Sequence, residues 1–144
     1  MDSQDNVEIL RLNLGDLDVV DALQPLFDQA VKPDAAEKFL RQDGHHLLVA
    51  FVQSLPVGFV SGVELTHPDK GTEMFLYELA VGDNFRRRGI GRKLVEALAA
   101  LAHERGCYDL WVLTETENTA AIRTYQSAGG TDVGTSLMFE WRFA

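Results

Sequence analysis

Arg86, Arg87, Arg88, Arg92 and Lys93 crowd into the stretch "RRRGIGRK", residues 86–93, of a 144-residue chain whose formal net charge is -9. Gly89 and Gly91 interrupt the run and an apolar, helix-periodic segment follows, so the cluster stands at the start of a helix. A helix N-terminus presents backbone N–H groups that have no intrahelical partner, together with the positive end of the macrodipole. Glycines there let an anion reach the backbone with no Cβ in the way, and the arginines supply mobile charge for more than one phosphate. The spacing is not the P-loop GxxxxGK[ST], and Leu94 stands where GxGxxG requires its third glycine. On the residues alone this is a phosphate cradle, with a solvated surface turn or a localisation-type basic run as the alternatives.

The second candidate is Glu78, inside the apolar run "FLYELAV". A carboxylate on such a strand is costly to bury unless it has a use or a partner. Strand alternation places its side chain opposite Tyr77 and Leu79. The four histidines, His45, His46, His67 and His103, lack the spacing of a metal site and read as surface or packing residues, so no metal is expected. Cys107 cannot pair within the chain and reads as a reduced packing residue.

The elements that must position these groups follow from periodicity. "VEILRL" alternates as a strand; "DLDVVDALQPLFDQAV" is helical with a break or kink at Pro25; "KPDAAEKFLRQDG" is a second helix, with proline inside its start and Gly44 beyond its end. "HLLVAFVQ" and "VGFVSGVELT" flank a turn at "SLP", and "HPDKGT" leads into the strand "EMFLYELAV", which makes a three-strand meander. A helix over "GIGRKLVEALAALAHERG", a strand over "YDLWVLT", a helix over "NTAAIRTYQSAG" capped by Asn118, and a last strand over "TDVGTSLMFEWRF" complete the order βααβββαβαβ. Trp111 and Trp141 fall in strands and are expected in the core. The fold class is α/β (α+β): one domain over residues 1–144, a mixed sheet with helices on its faces.

Composition narrows the function. Hydrophobic content of 46% and charged content of 24% describe a globular chain, and no apolar run approaches the roughly 20 residues that span a bilayer. The opening "MDSQDNVEIL" lacks the pattern of a signal peptide, so a cytoplasmic location without membrane association is expected. The acidic balance argues against nucleic acid as a partner and for a cationic one, or for solubility alone.

"LAVGDNFRRRGIGRKLV" resembles the acyl-CoA-binding motif of the GCN5-related N-acetyltransferases, with the loop [RQ]xxGx[GA] running from Arg86 through Gly89 to Gly91. "ENTAAIRTYQSAG" is similar to that superfamily's later NxxAxxxYxxxG segment through Asn118, Ala121, Tyr125 and Gly129. The resemblance implies a mostly antiparallel sheet with two splayed strands, "YELAV" and "LWVLT", holding the pantetheine arm of acetyl-CoA. Leu79, Ala80 and Val81 would pair with the arm. The amides and side chains from Arg86, Arg87 and Arg88 through Gly89, Ile90 and Gly91 to Arg92 would hold the pyrophosphate, with Asn118 and Ala121 on the other side. It further implies Glu78 as general base, directly or through a water, with an anchoring or structural carboxylate as the alternative, and Tyr125 as the acid that protonates the coenzyme A thiolate, with core packing as its alternative.

"FLYELAVGDNFRRRGIGRKLV", "AAIRTYQSAGG" and the terminal "LMFEWRF" are similar to the small aminoglycoside 3-N-acetyltransferases of the gentamicin-modifying type. That likeness implies an antibiotic-resistance activity on the 3-amino group of a polycationic drug. Tyr77, Glu78, Glu117 and Glu140 would line a carboxylate-rich cleft for the ammonium groups, and Asp34 and Glu37 would close its other side. In this chain Glu78 takes the place of aspartate, and Glu117 with Asn118 stands where those relatives tend to carry acids. Transfer to another polyamine or a peptide amine is the runner-up, and a non-catalytic acyl-CoA-binding module the reading from another class. A homodimer through the terminal strand region is implied by the resemblance only.

Overall fold

The computed structural model describes residues 6–143. Strand β1 (Val7–Arg11) leads through a capped turn into the short helix α1 (Leu17–Ala22), which stops where Pro25 opens a 3₁₀ turn over Gln24–Leu26. Helix α2 (Pro33–Arg41) begins with proline at its first position, as its sequence predicts. Strands β2 (His45–Val52), β3 (Leu55–His67) and β4 (Gly71–Val81) form the meander, followed by α3 (Ile90–Glu104), β5 (Leu110–Trp111) and α4 (Thr119–Ser127). The sheet runs β1-β2-β3-β4-β5, antiparallel throughout except for the parallel β4–β5 pair. It is the mixed α/β architecture read from the sequence.

Each face of the sheet buries its own core. Helix α3 lays Ile90, Leu94 and Leu98 on Leu48, Val60, Met74 and Leu76 on one face. The α1 and α2 region covers Leu47, Val49 and Phe59 on the other, with Val20 and Leu23. Burying a side chain of this kind contributes on the order of 1.5–3 kcal/mol, so these two layers are the main source of stability.

A polar cluster pins the C-terminal end of α3 to the sheet. Arg105 donates to Glu64 on β3 and to Asp43, the latter at 2.8 Å. Glu64 also lies 2.6 Å from His46 Nε2, while Arg11 Nε donates to His46 Nδ1 at 2.9 Å. A ring nitrogen that accepts from a guanidinium carries no proton, so His46 is neutral and its Nε2–H donates to Glu64. Complete burial agrees, since it pushes the imidazole below its ordinary value. Burial by itself would raise the Glu64 carboxyl, but the hydrogen bonds from His46 and Arg105 outweigh it and hold the group below the usual range. With its C-terminal end anchored there, α3 aims its N-terminus at the far end of β4.

Two expectations fail near the C-terminus. The strand over residues 108–114 shrinks to Leu110–Trp111, and residues 130–143 form neither helix nor strand. The alternation in "LMFEWRF" is strand-like, but a strand exists only on a partner edge, and β5 offers two residues of ladder. Trp141, expected in the core, is instead 77% exposed, as are Val133, Leu137, Met138, Phe139 and Phe143 to similar or greater degrees. Trp111, also expected in the core, is half-buried, its ring 4.4 Å from that of Phe75.

Candidate active site

The site forms where β4 departs from regular alternation. Ser61 pairs with Glu78 and Gly62 with Leu76, which leaves Tyr77 as the extra residue of a β-bulge. Before the bulge Met74 and Leu76 face α3; after it Leu79 and Val81 do, and Ala80 joins the opposite core. The bulge therefore shifts the parity of the strand by one. Glu78 stands opposite Leu79, as alternation requires, but shares its face with Tyr77, which corrects the sequence reading. The Glu78 amide donates to Ser61 Oγ at 3.1 Å, so the displaced backbone stays satisfied.

Both side chains line a cleft of about 230 Å³ with Phe59, Asp28 and Tyr125. Glu78 is half-buried and has no cationic partner among the described residues; burial, and then the charge of Asp28, raise its carboxyl above the ordinary glutamate value. Burial likewise raises the Tyr125 hydroxyl, so the phenol keeps its proton at neutral pH. Tyr125 reaches the cleft because α4 packs closely on the first turn of α3, where a Cβ at Gly91 would meet Thr124 Cγ2 at 3.3 Å.

Beside the cleft lie an open strand edge and an open helix end. The parallel ladder between β4 and β5 joins only Met74 to Leu110 and Phe75 to Trp111, so from Leu76 to Val81 that edge of β4 has no strand beside it among the described residues. Helix α3 starts at Gly89, whose φ of 77° needs glycine, with no side-chain cap and no acidic residue in the first turn. Arg87 also has positive φ, at 63°. Nothing lies within 4 Å of where a Cβ on Gly89 would be. The amides of Ile90, Gly91 and Arg92 thus have no side-chain cap at the positive end of a fifteen-residue helix.

The arginines around this opening are exposed. Arg86 Nε donates to the Val81 carbonyl at 3.2 Å, Arg88 stacks over Phe85 and Arg92 pairs with Glu96 at 3.0 Å. Asn118 caps α4, its side-chain oxygen accepting from the Ala121 amide at 3.1 Å. The other sequence candidates are not brought to the cleft. Asp34 and Glu37 sit on α2, with Glu37 paired to Arg41. Glu117 accepts from Thr116 Oγ1 at 2.7 Å, and Glu140 pairs with Arg142 at 3.0 Å in the exposed terminal segment. Sequence reasoning missed Asp28, which lies in a loop with no motif to mark it.

Comparison with known proteins bears on the same elements. The model of the acetyltransferase (GNAT) family matches residues 16–129, from α1 through α4. The chain belongs to that family. Relatives of this GNAT chain include the ribosomal protein bS18-alanine N-acetyltransferase of Salmonella typhimurium, 42% identical over 57 residues, which cover 40% of this chain and 38% of that protein. The L-2,4-diaminobutyric acid acetyltransferase of Streptomyces coelicolor is 33% identical over 94 residues, 65% of this chain and 49% of the relative. The match thus spans 38% and 49% of these two relatives' length. Among solved structures, the aminoglycoside acetyltransferase meta-AAC0020 from an uncultured soil metagenomic sample, in complex with sisomicin, superposes with a TM-score of 0.88 at 24% identity, covering 96% of this chain and 97% of its own. The aminoglycoside N-acetyltransferase AAC(6')-Iy in complex with CoA gives 0.80 at 21% identity, covering 95% of each. These likenesses establish the GNAT fold.

Acetyl-CoA is the acyl donor of GNAT acetyltransferases. The residues present fit it on three counts: uncapped amides and positive dipole for a pyrophosphate, open space at Gly89, and a free strand edge for an amide-bearing arm.

Proposed function

We propose that the chain transfers an acetyl group from acetyl-CoA to an amine of a polycationic small molecule, an aminoglycoside acetylated at its 3-amino group. The observation that carries this reading is Glu78, an unpaired, half-buried carboxylate that a bulge turns into the same cleft as Tyr125, next to the open edge of β4. Bound acetyl-CoA supplies an activated thioester carbonyl. The amides of Ile90, Gly91 and Arg92, with Arg86, Arg87 and Arg88, would hold its pyrophosphate, and the backbone of Leu79, Ala80 and Val81 would fix its arm. Glu78 accepts a proton from the acceptor ammonium, which leaves the nitrogen a neutral nucleophile. Tyr125, whose phenol burial keeps protonated, would supply a proton to the thiolate released as the new amide bond replaces the thioester bond.

The acidic surface supports a polycationic acceptor, and the solved neighbours that bear aminoglycoside names support that class. The 3-amino position rests on the motif likeness, whereas AAC(6')-Iy carries a 6′ designation in its name. Thiol release from acetyl-CoA over gentamicin, kanamycin, spermidine and a peptide amine tests the reading, and NMR of the product fixes the acetylated nitrogen. Release with gentamicin that disappears in Glu78→Ala supports it. Tight coenzyme A binding with no turnover on any amine assigns the chain instead as an acyl-CoA-binding module.

We also propose a homodimer through residues 131–143. In an extended chain Leu137, Phe139, Trp141 and Phe143 share one side, and all four are exposed, a concentration of apolar surface uncommon in a monomer. Sedimentation of the wild type against Phe139→Glu tests it: a dimer that the variant dissociates is the expected result.

A further inference from the structure

His46 is completely buried and has no part in the acetyl transfer described above. Charged groups face it from the elements packed around it: Arg11 from β1, Asp43 from the loop before β2, Glu64 from β3 and Arg105 from the C-terminal end of α3. Arg11 and Arg105 balance Asp43 and Glu64, so the cluster is neutral only while the imidazole is neutral. Arg11 Nε fixes that state from one side, donating to Nδ1 at 2.9 Å, and Glu64 fixes it from the other, 2.6 Å from Nε2. Burial works to raise the Glu64 carboxyl, but hydrogen bonds from His46 and Arg105 hold it low, as Arg105 holds Asp43. Cys107, beside Glu64 and Arg105, stays a thiol because burial raises it above the ordinary value. A guanidinium does not titrate. As pH falls, His46 Nδ1 is therefore the first site in the cluster to take up a proton.

That proton is incompatible with Arg11 where it stands. It turns the acceptor of the Arg11 bond into a second donor, sets two N–H groups against each other and leaves a net positive charge in a buried place. Arg11 is at the exposed end of β1 and has solvent to move into. The residues after it make a corner: the Leu12 amide donates to the Leu47 carbonyl at 2.9 Å, and Asn13 caps the 3₁₀ turn Leu14–Asp16 that leads into α1. We propose that His46 is an acid-sensitive latch on this corner: its protonation releases Arg11, and the end of β1 with the turn before α1 loosens from β2. Burial keeps the folded ring below the ordinary histidine value, so the open corner is favoured as pH falls through that range.

NMR of the ¹⁵N-labelled chain tests the latch with two readouts. Long-range ¹H–¹⁵N spectra give the state of the ring: near neutral pH the proton is on Nε2 alone, and acid adds a second at Nδ1. Exchange of the Leu12 amide, taken relative to its intrinsic rate, rises about ten- to hundredfold with the same midpoint, the worth of a hydrogen bond to a charged group. The amides of Leu94 and Leu98 inside α3 keep their protection across that range. Arg11→Met, at an exposed position, removes the donor and leaves the ring: His46 then titrates at higher pH, and Leu12 exchange no longer follows it. A proton on Nδ1 near neutral pH overturns the inference, as does a ring that stays neutral until the whole chain unfolds. So does Leu12 exchange that ignores the titration, or that follows it equally in Arg11→Met. None of these outcomes bears on acetyl transfer, which thiol release tests separately.

Discussion

Glu64 and Glu78 are partly buried carboxylates on adjacent antiparallel strands of one sheet, and they are opposites. Glu64 on β3 is surrounded by donors: Arg105 and His46 bond to it, and its carboxyl is held low. Glu78 on β4 has no cationic partner among the described residues, and burial and then Asp28 push its carboxyl up. The desolvation is alike in kind; the partners differ. A paired carboxylate contributes to stability and is chemically inert, whereas an unpaired one costs stability and is ready to take a proton. The sheet thus carries, among the described residues, a paired and an unpaired version of the same side chain.

The sharpest way to break the contrast is to neutralise each residue in turn. Glu78→Gln should lower kcat with an active acceptor by about 10²–10⁴-fold, the usual worth of a positioned general base, while Glu64→Gln should leave the pH profile of kcat/KM in place. Steady-state thiol release measures both. Next in size, Tyr125→Phe should lower kcat by about 10²-fold with coenzyme A affinity retained in calorimetry. A fall in affinity of the same size would return Tyr125 to a packing role.

Arg105→Ala should cost about 1–3 kcal/mol in urea unfolding, because it leaves the Glu64 carboxylate, only 14% exposed, without its guanidinium. The smallest effect is in the pH dependence, and the two residues have opposite signs there. Glu64 titrates lower folded than unfolded, so its contribution is present above the ordinary glutamate value and is lost as pH falls through the folded value. Glu78 titrates higher when folded, so the folded state loses stability as pH rises from the ordinary value through the raised one. At neutral pH Glu78→Gln should hold or raise the urea midpoint and Glu64→Gln should lower it. The same raised value moves the acid limb of kcat/KM above that of an ordinary glutamate.

Local signals in the sequence were legible. Pro25 breaks the first helical segment and Pro33 starts the next, as proline's fixed φ requires. The glycine–arginine loop opens α3, and Asn118 caps α4. The terminal strand was misread because alternation records what a segment could pair with, not whether an edge is there to receive it. The face of Tyr77 was misread because a bulge is a property of two strands in register. Asp28 escaped notice because a loop acid acquires meaning only from what lies across the cleft.

Sequence by itself determined the order of elements through β4 and α3, the place of the glycine–arginine loop of residues 86–92 at the start of α3, and the choice of Glu78 and Tyr125 as candidates. Those properties follow from periodicity, backbone preference and side-chain chemistry, all of which act over a few neighbouring residues. Tertiary structure alone decided that the strand parity shifts at Tyr77, that β4 and β5 separate after two pairs, and that Asp28 faces Glu78. Each of these depends on distant segments meeting, and the field at a carboxylate is the sum over whatever groups the fold brings to it.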